Sequence, residues 1–176
     1  NLAFFDAFCG TGTVSNSLKN YFRLIINDNL RLATTFAAGR INSGFCSFEK
    51  LGFNPIDFFN SNEITDKGFF YNNYGPAVTG RMYFSEFNAG RIDFFRKQIE
   101  TWKIEEKIDD TEYCYLLSCL LESVSKIANV AGVYGAYLKK WDPRALKKIV
   151  FIEPEGEKAK FKPDLYAVYN SNLNEI

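Results

Sequence analysis

Near the start of the chain stands Asp6-Ala7-Phe8-Cys9-Gly10-Thr11-Gly12, and a second carboxylate, Asp28, follows the next apolar run. A glycine-rich turn lets a ligand approach the backbone closely, because glycine has no Cβ and adopts left-handed dihedrals freely. A carboxylate at the end of a second strand can accept hydrogen bonds from both hydroxyls of a ribose. Together these residues describe a site for an adenosine-containing cofactor. A P-loop would require Gly-Lys-Ser or Gly-Lys-Thr, whereas Gly12 is followed by Thr13-Val14. A dinucleotide turn would carry a third Gly where Ser15 stands. Asp6, at the mouth of the turn, would repel a pyrophosphate and suits the cationic amino group of a methionine tail. The electrostatics therefore favour S-adenosylmethionine and disfavour a nicotinamide-dependent oxidoreductase. The pattern leaves a plainer reading open, in which Gly10 and Gly12 only make a tight turn and Asp28 caps the next helix.

Other chemistry is restricted by what the chain lacks. It has no His, which removes the usual general base and any Ser-His or Cys-His nucleophile pair. Cys9, Cys46, Cys114 and Cys119 form no C-x-x-C pair, so neither a zinc site nor a disulfide framework is expected, and a cytoplasmic setting fits. No apolar run is long enough for a membrane span and no signal peptide is evident. Formal net charge is +0, so global charge gives no support for nucleic-acid binding. Local charge differs. Lys139, Lys140, Arg144, Lys147, Lys148, Lys158, Lys160 and Lys162 fall in one short stretch, opposed by Asp142, Glu153, Glu155 and Glu157. A solvated surface and a phosphate-contacting surface both account for such a run. Aromatic residues make up 17% of the chain; core packing accounts for most of them, and some could stack on bases.

The elements that must position these residues follow from hydrophobic periodicity. Residues 2–8 read as a buried strand, 14–21 as a helix, 23–26 as a second strand closed by Asn27-Asp28-Asn29, and 30–41 as another helix. This order begins a doubly wound α/β sheet. From Gly44 to Asn88 no period is clean, and Asn72-Asn73-Tyr74-Gly75-Pro76 signals a turn. The stretch reads as an insertion with short elements of its own, able to wrap a ligand. Asn88 is expected to cap a helix carrying Ile92, Phe95, Ile99 and Trp102. After Asp109-Asp110 the series Tyr113, Leu116, Leu117, Leu120, Leu121, Val124, Ile127 and Ala128 predicts a long helix whose apolar stripe is core. Strands are expected over 148–152 and 165–169.

Two separated motifs carry a resemblance. Asp6 through Ser15, with Asn27-Asp28, is similar to the cofactor motifs of Dam-like DNA adenine N6-methyltransferases. Glu112-Tyr113 through Asn129, then Gly132-Val133-Tyr134-Gly135-Ala136-Tyr137-Leu138-Lys139, resembles a downstream segment of the same family. The resemblance implies an α/β, Rossmann-like fold of the S-adenosylmethionine-dependent methyltransferase type with a largely helical insertion. Residues 1–43 would begin the cofactor-binding domain, 44–147 would be the insertion with DNA-recognition elements, and 148–176 would supply return strands. It implies S-adenosylmethionine on Asp6, Phe8, Gly10, Thr11, Gly12 and Asp28. Asn172, in Tyr169-Asn170-Ser171-Asn172, would meet the cofactor adenine where the family usually has Asp; the Asn carbonyl still accepts a hydrogen bond but brings no charge. Duplex DNA would lie along the segment from Tyr134 to Lys162, on Tyr134, Tyr137, Lys139, Lys140, Arg144, Lys147 and Lys148. The implied activity is methylation of adenine N6, often within a restriction–modification system and so beside a cognate endonuclease. The family's Asp-Pro-Pro-Tyr motif accepts from the adenine amino group and stacks on the flipped base. It does not occur here, and Asn54-Pro55-Ile56-Asp57 lacks its second Pro and precedes the helical segment. No catalytic residue is therefore assigned. The sequence reads as cut at both ends, by truncation or as part of a split gene, and is expected to be inactive by itself. A non-catalytic nucleic-acid-binding or partner-binding module that keeps the cofactor pocket is the competing reading.

Overall fold

In the computed structural model, which describes residues 2–132, 135–156, 160 and 162–172, the first two apolar runs form β1 (Ala3–Asp6) and β2 (Arg23–Asn27). They pair in parallel, from Ala3 opposite Arg23 to Asp6 opposite Ile26. A third strand, β3 (Leu165–Tyr169), lies parallel on the other side of β2, giving the order β1-β2-β3. Parallel neighbours need a crossover connection; α1 (Thr13–Leu18) makes the first, and everything from Asp28 to Asp164 makes the second. The middle strand is the most buried, with Leu24 and Ile26 at 0% exposure. On it packs α2 (Arg31–Ile41), through Ala37, Ala38 and Ile41.

A small residue joins this layer to the rest of the chain. A Cβ on Gly39 of α2 would lie 2.1 Å from Ser118 Oγ and 2.4 Å from the Cys114 carbonyl oxygen, both on α7 (Asp110–Ile127). The two helix backbones therefore meet at close range. Ser118 Oγ sits 3.0 Å from Phe36 O across the joint and 3.0 Å from Cys114 O on its own helix. As the apolar stripe predicts, α7 is one uninterrupted helix of 18 residues with a buried apolar face. Its start is a capping box in which Asp109 and Glu112 bond each other's backbone N–H groups.

The stretch without clean periodicity holds three short helices, α3 (Pro55–Asn60), α4 (Phe69–Tyr74) and α5 (Pro76–Thr79). Asn54-Pro55 is a helix start: Asn54 Oδ1 accepts from Ile56 N at 2.8 Å and Pro55 takes the first helical position, where its missing N–H costs nothing. Asn72 and Asn73, expected in a turn, are helical. Their side-chain amides donate to Gly68 O and Phe69 O one turn back, so only Gly75 breaks the chain before Pro76 starts α5.

Two further expectations are corrected. Helix α6 (Glu86–Ile104) begins at Ser85, whose hydroxyl accepts from Asn88 N at 3.3 Å; Asn88 lies inside the first turn, fully buried. Residues 148–152 run extended but belong to no sheet among the described residues. Ile149 and Phe151 are buried while Lys148 and Val150 are exposed, the alternation of a half-buried strand. Their amides, however, are satisfied by side chains: Ile149 N donates to Asn88 Oδ1, Phe151 N to Asn60 Oδ1 and Ile152 N to Ser123 Oγ, at 2.8–2.9 Å. Phe151 enters an aromatic core with Phe59, Phe95 and Trp102, its ring centroid 4.6 Å from that of Phe59. Each such ring removed from water contributes about 1.5–3 kcal/mol. Among the described residues no helix is long and apolar enough to cross a membrane.

Candidate functional site

The C-terminal ends of the three strands are held together by one side chain. Asn27 is 1% exposed. Its Nδ2 donates to Ala7 O at 3.0 Å, beyond β1, and to Ser171 O at 3.1 Å, beyond β3, while Oδ1 accepts from Ser171 N at 3.2 Å. Asn170 adds a second tie, donating from Nδ2 to Asp28 O and to Thr34 Oγ1. Neither role is marked in the sequence: within Asn27-Asp28-Asn29 only the acidic member carries an evident chemical task.

Asp28 sits on this platform. Oδ2 accepts from Gly10 N at 3.0 Å and Oδ1 from Leu30 N at 2.9 Å. The second contact closes a local turn ahead of α2, whose N-cap is Leu30 with no side-chain cap, so Asp28 does not cap that helix as the plainer reading has it. The first reaches back to the glycine turn and is what that reading lacks. A carboxylate oxygen has two acceptor positions, so each keeps one for a ligand. Asp6, at the end of β1, is gripped on one side: Ser15 Oγ donates to Oδ2 at 2.5 Å, and among the described residues Oδ1 accepts no hydrogen bond. Ser15, which stands where a dinucleotide turn has its third Gly, is thus the residue that orients the carboxylate.

The two glycines do different work. Gly10 has φ +51° with open space where a Cβ would be, so the turn presents bare backbone outward. Gly12 has φ +73° and faces inward; a Cβ there would lie 2.7 Å from that of Ala37. It lets the turn seat on α2. Thr11 and Phe8 are exposed beside the turn, Phe8 to 76%. Cys9, between them, is buried, and its N–H donates to Asn27 O at 2.8 Å. Burial, reinforced by the Asp28 and Asp6 carboxylates, pushes its thiol up to about 12, so it is no nucleophile at neutral pH. Asn172 follows the tied Ser171 and is exposed at the same end of the sheet. No group of three or more His, Cys, Asp or Glu among the described residues is placed to hold a metal ion. Cavities of about 450 and 570 Å³ lie in the helical part, against Tyr115 and against Arg96, and neither is lined by the glycine turn. The site is an open ledge at the strand ends.

The basic segment is organised by another buried asparagine. Asn129, 0% exposed, donates from Nδ2 to Met82 O and Leu138 O and accepts at Oδ1 from Asp142 N. It gathers a loop closed by a bridge between Val130 and Tyr137. Tyr137 packs edge-on against Tyr83, centroids 5.1 Å apart. Lys139, Lys140 and Lys147 project exposed, with no ion pair among the described residues. Arg144 is partly spent, donating to Ala128 O at 2.9 Å, and Lys148 pairs with Glu63. Tyr134, expected beside them, lies outside the described residues.

A family model for the D12 class of N6 adenine-specific DNA methyltransferases matches residues 2–167. The chain belongs to that family. Among relatives, it is 38% identical over 154 residues to "Type II methyltransferase M.FokI" of Planomicrobium okeanokoites, covering 83% of this chain and 24% of that protein. It is 36% identical to "Modification methylase LlaI" of Lactococcus lactis subsp. lactis, covering 98% of this chain and 29% of the relative. With "Type II methyltransferase M.NlaIII" of Neisseria lactamica the identity is 34%, over 98% of this chain and 51% of the relative. The chain thus spans about a quarter of the length of the first two. No solved structure gives a significant match. The D12 match takes in the glycine turn, Asp28, the Asn129 loop and the basic segment together, all within 2–167.

Proposed function

We propose that this D12-family chain holds S-adenosylmethionine on the strand-end ledge, on a Rossmann-like plan with a helical insertion, and serves methylation of adenine N6 in duplex DNA. The observation that carries the reading is the bond from Gly10 N to Asp28 Oδ2. It fixes a ribose-accepting carboxylate against a turn whose backbone is bare on its outer side. The residues fit the cofactor. Asp28 keeps an acceptor position on each oxygen for the two ribose hydroxyls. Asp6, oriented by Ser15, offers Oδ1 to the methionine ammonium. The exposed ring of Phe8 and the Thr11 backbone line the approach, and Asn172 offers a carbonyl for the adenine amino group. When bound, the cofactor supplies an electrophilic methyl group. The chain's own residues bind and orient it, and the reading assigns no catalytic residue among the 176.

The Asn129 loop and the exposed Lys139, Lys140 and Lys147, without an ion pair among the described residues, support a DNA-facing surface, with Tyr137 beside them as an apolar face. Arg144 and Lys148, already engaged, are weaker contributors than Lys139, Lys140 and Lys147. The names of the relatives support a modification role of the restriction–modification kind.

Calorimetric titration tests the cofactor. S-adenosylmethionine should bind and NAD should not, and Asp28→Ala should weaken binding by about 1.5–3 kcal/mol, roughly 10- to 150-fold. Binding of NAD in preference, or unchanged affinity in folded Asp28→Ala, sinks the reading. For DNA, charge reversal at Lys139, Lys140 and Lys147 should lower both affinity and the dependence of affinity on salt, since each phosphate contact releases counterions. An unchanged salt slope would mean that this surface is only solvated.

A further inference from the structure

Arg40 closes the last turn of α2, one helical turn beyond the Ala37 on which Gly12 is seated. Its guanidinium does not turn back to its own helix. Nη1 reaches Thr13 Oγ1 at 3.1 Å and Thr11 O at 3.4 Å, on the two residues that flank Gly12. From the other edge, Nε donates to Glu155 O at 2.5 Å. Glu155 is held in turn, its carboxylate paired with Lys126 of α7 at 2.9 Å. Just upstream, Ile152 N is bonded to Ser123 Oγ, also on α7. The next residue, Gly156, is closely packed: a Cβ there would lie 2.6 Å from Asn16 Nδ2 and 3.2 Å from Arg40 Nε, so both side chains would have to give way.

We infer that Arg40 is a positioning residue for the glycine turn, stretched between that turn and the Glu155 peptide, and that the segment ending at Gly156 sets the turn's conformation through it. The inference rests on the cofactor reading above. Among the described residues the turn's outer side has no protein neighbour at Gly10, so its conformation is fixed from behind. Gly12 supplies packing, Asp28 supplies one bond to Gly10 N, and the N–H side of the Thr11–Gly12 peptide donates to Cys9 O at 2.7 Å, which leaves the Thr11 carbonyl to Arg40. A planar guanidinium with its donors in a fixed fork bonds partners on two sides at once. A lysine ammonium could satisfy one side only. Arg40 bonds neither the Asp6 nor the Asp28 carboxylate; its contacts at the site are the Thr11 carbonyl and the Thr13 hydroxyl, so its effect passes through the turn.

The test is the affinity of the chain for S-adenosylmethionine, read beside its melting temperature, with Asp28→Ala as reference. Arg40→Ala should weaken binding about five- to tenfold. Arg40→Lys should recover the melting temperature but no more than half of the lost affinity on a logarithmic scale. Gly156→Ala, whose added Cβ crowds Asn16 Nδ2 and Arg40 Nε, should weaken binding about threefold or more. Should Arg40→Ala melt early, the Lys and Gly156 variants decide the matter. If Arg40→Lys restores affinity and stability in equal proportion, or if Arg40→Ala binds like the parent while Asp28→Ala does not, Arg40 is merely structural and the inference is overturned. If neither the parent nor Asp28→Ala binds, the cofactor reading itself fails, and this one with it.

Discussion

Replacing Asn27 by Ala should cost about 3 kcal/mol of folding stability and disable the cofactor ledge. The side chain is 1% exposed and makes contacts with Ala7 O, Ser171 O and Ser171 N. Removing it strands two carbonyls and one N–H. A fully buried unsatisfied group costs about 1–3 kcal/mol, and because Ala7 and Ser171 are only half-buried the lower end applies to each. Domains of this kind are held by about 5–15 kcal/mol in all, so the loss is large but the variant still folds. Asn27→Asp should be worse than Ala at neutral pH, since it sets a carboxylate against two carbonyl oxygens instead of a donor. Urea unfolding followed by circular dichroism measures the stability, and titration with S-adenosylmethionine measures the ledge. Affinity should fall at least tenfold, because Asp28 is the next residue and Asn27 fixes its backbone. A loss under 1 kcal/mol, with cofactor affinity intact, would refute the claim that one amide organises the strand ends.

Gly39→Ala should destabilise by about 2 kcal/mol or more: the overpacking against Ser118 Oγ and the Cys114 carbonyl outweighs the roughly 1 kcal/mol that Ala gains in a helix, and a neutral result by urea titration would show that α2 and α7 can part freely. Asn129→Ala should release the loop between residues 130 and 142, so limited proteolysis should cut there first and DNA affinity should fall; protection equal to the parent's would contradict the role given to its amide. Stability should decline above pH 9. The Cys9 and Cys46 thiols are pushed up from 9.0 to about 12 mainly by burial, so the unfolded chain loses these protons first and binds fewer than the native state between those values. Melting temperatures that stay level from pH 8 to pH 11 would show that these thiols are hydrated.

The local signals were readable from residues alone. The glycine turn, Asp28, the two flanking helices and the capped start of α7 depend on neighbours within a few positions, and the sequence pattern carries them. What escaped reading was set by distant partners. Ser85 and Asn88 are both helix-capping types; Ser85, three residues ahead of Asn88, was the signal for the true start, and Asn88 was diverted to the carbonyls of Ala145 and Lys147. The run 148–152 has a strand's alternation because it is extended and half-buried, and nothing in its own composition says that asparagine and serine side chains would replace a sheet partner. Asn27, Asn129 and Arg40 look like ordinary polar residues until tertiary structure brings their partners together.

That side-chain ladder has a consequence for the order in which the chain folds. The anchors of Ile149, Phe151 and Ile152 stand 61, 91 and 29 residues earlier in the sequence. A paired strand can zip from one end, each bond shortening the loop for the next, but these three acceptors sit on three separate helices. The segment cannot dock until α3, α6 and α7 have assembled, and loop-closure entropy favours the local helices first. It is therefore among the last parts to settle, and β3, which follows it in the chain, waits on it to join β2. Pulse-labelled hydrogen exchange during refolding should show the amides of Ile149, Phe151 and Ile152 gaining protection in the slowest phase, after those of α7. Early protection of all three would mean that the segment is organised by something other than its ladder.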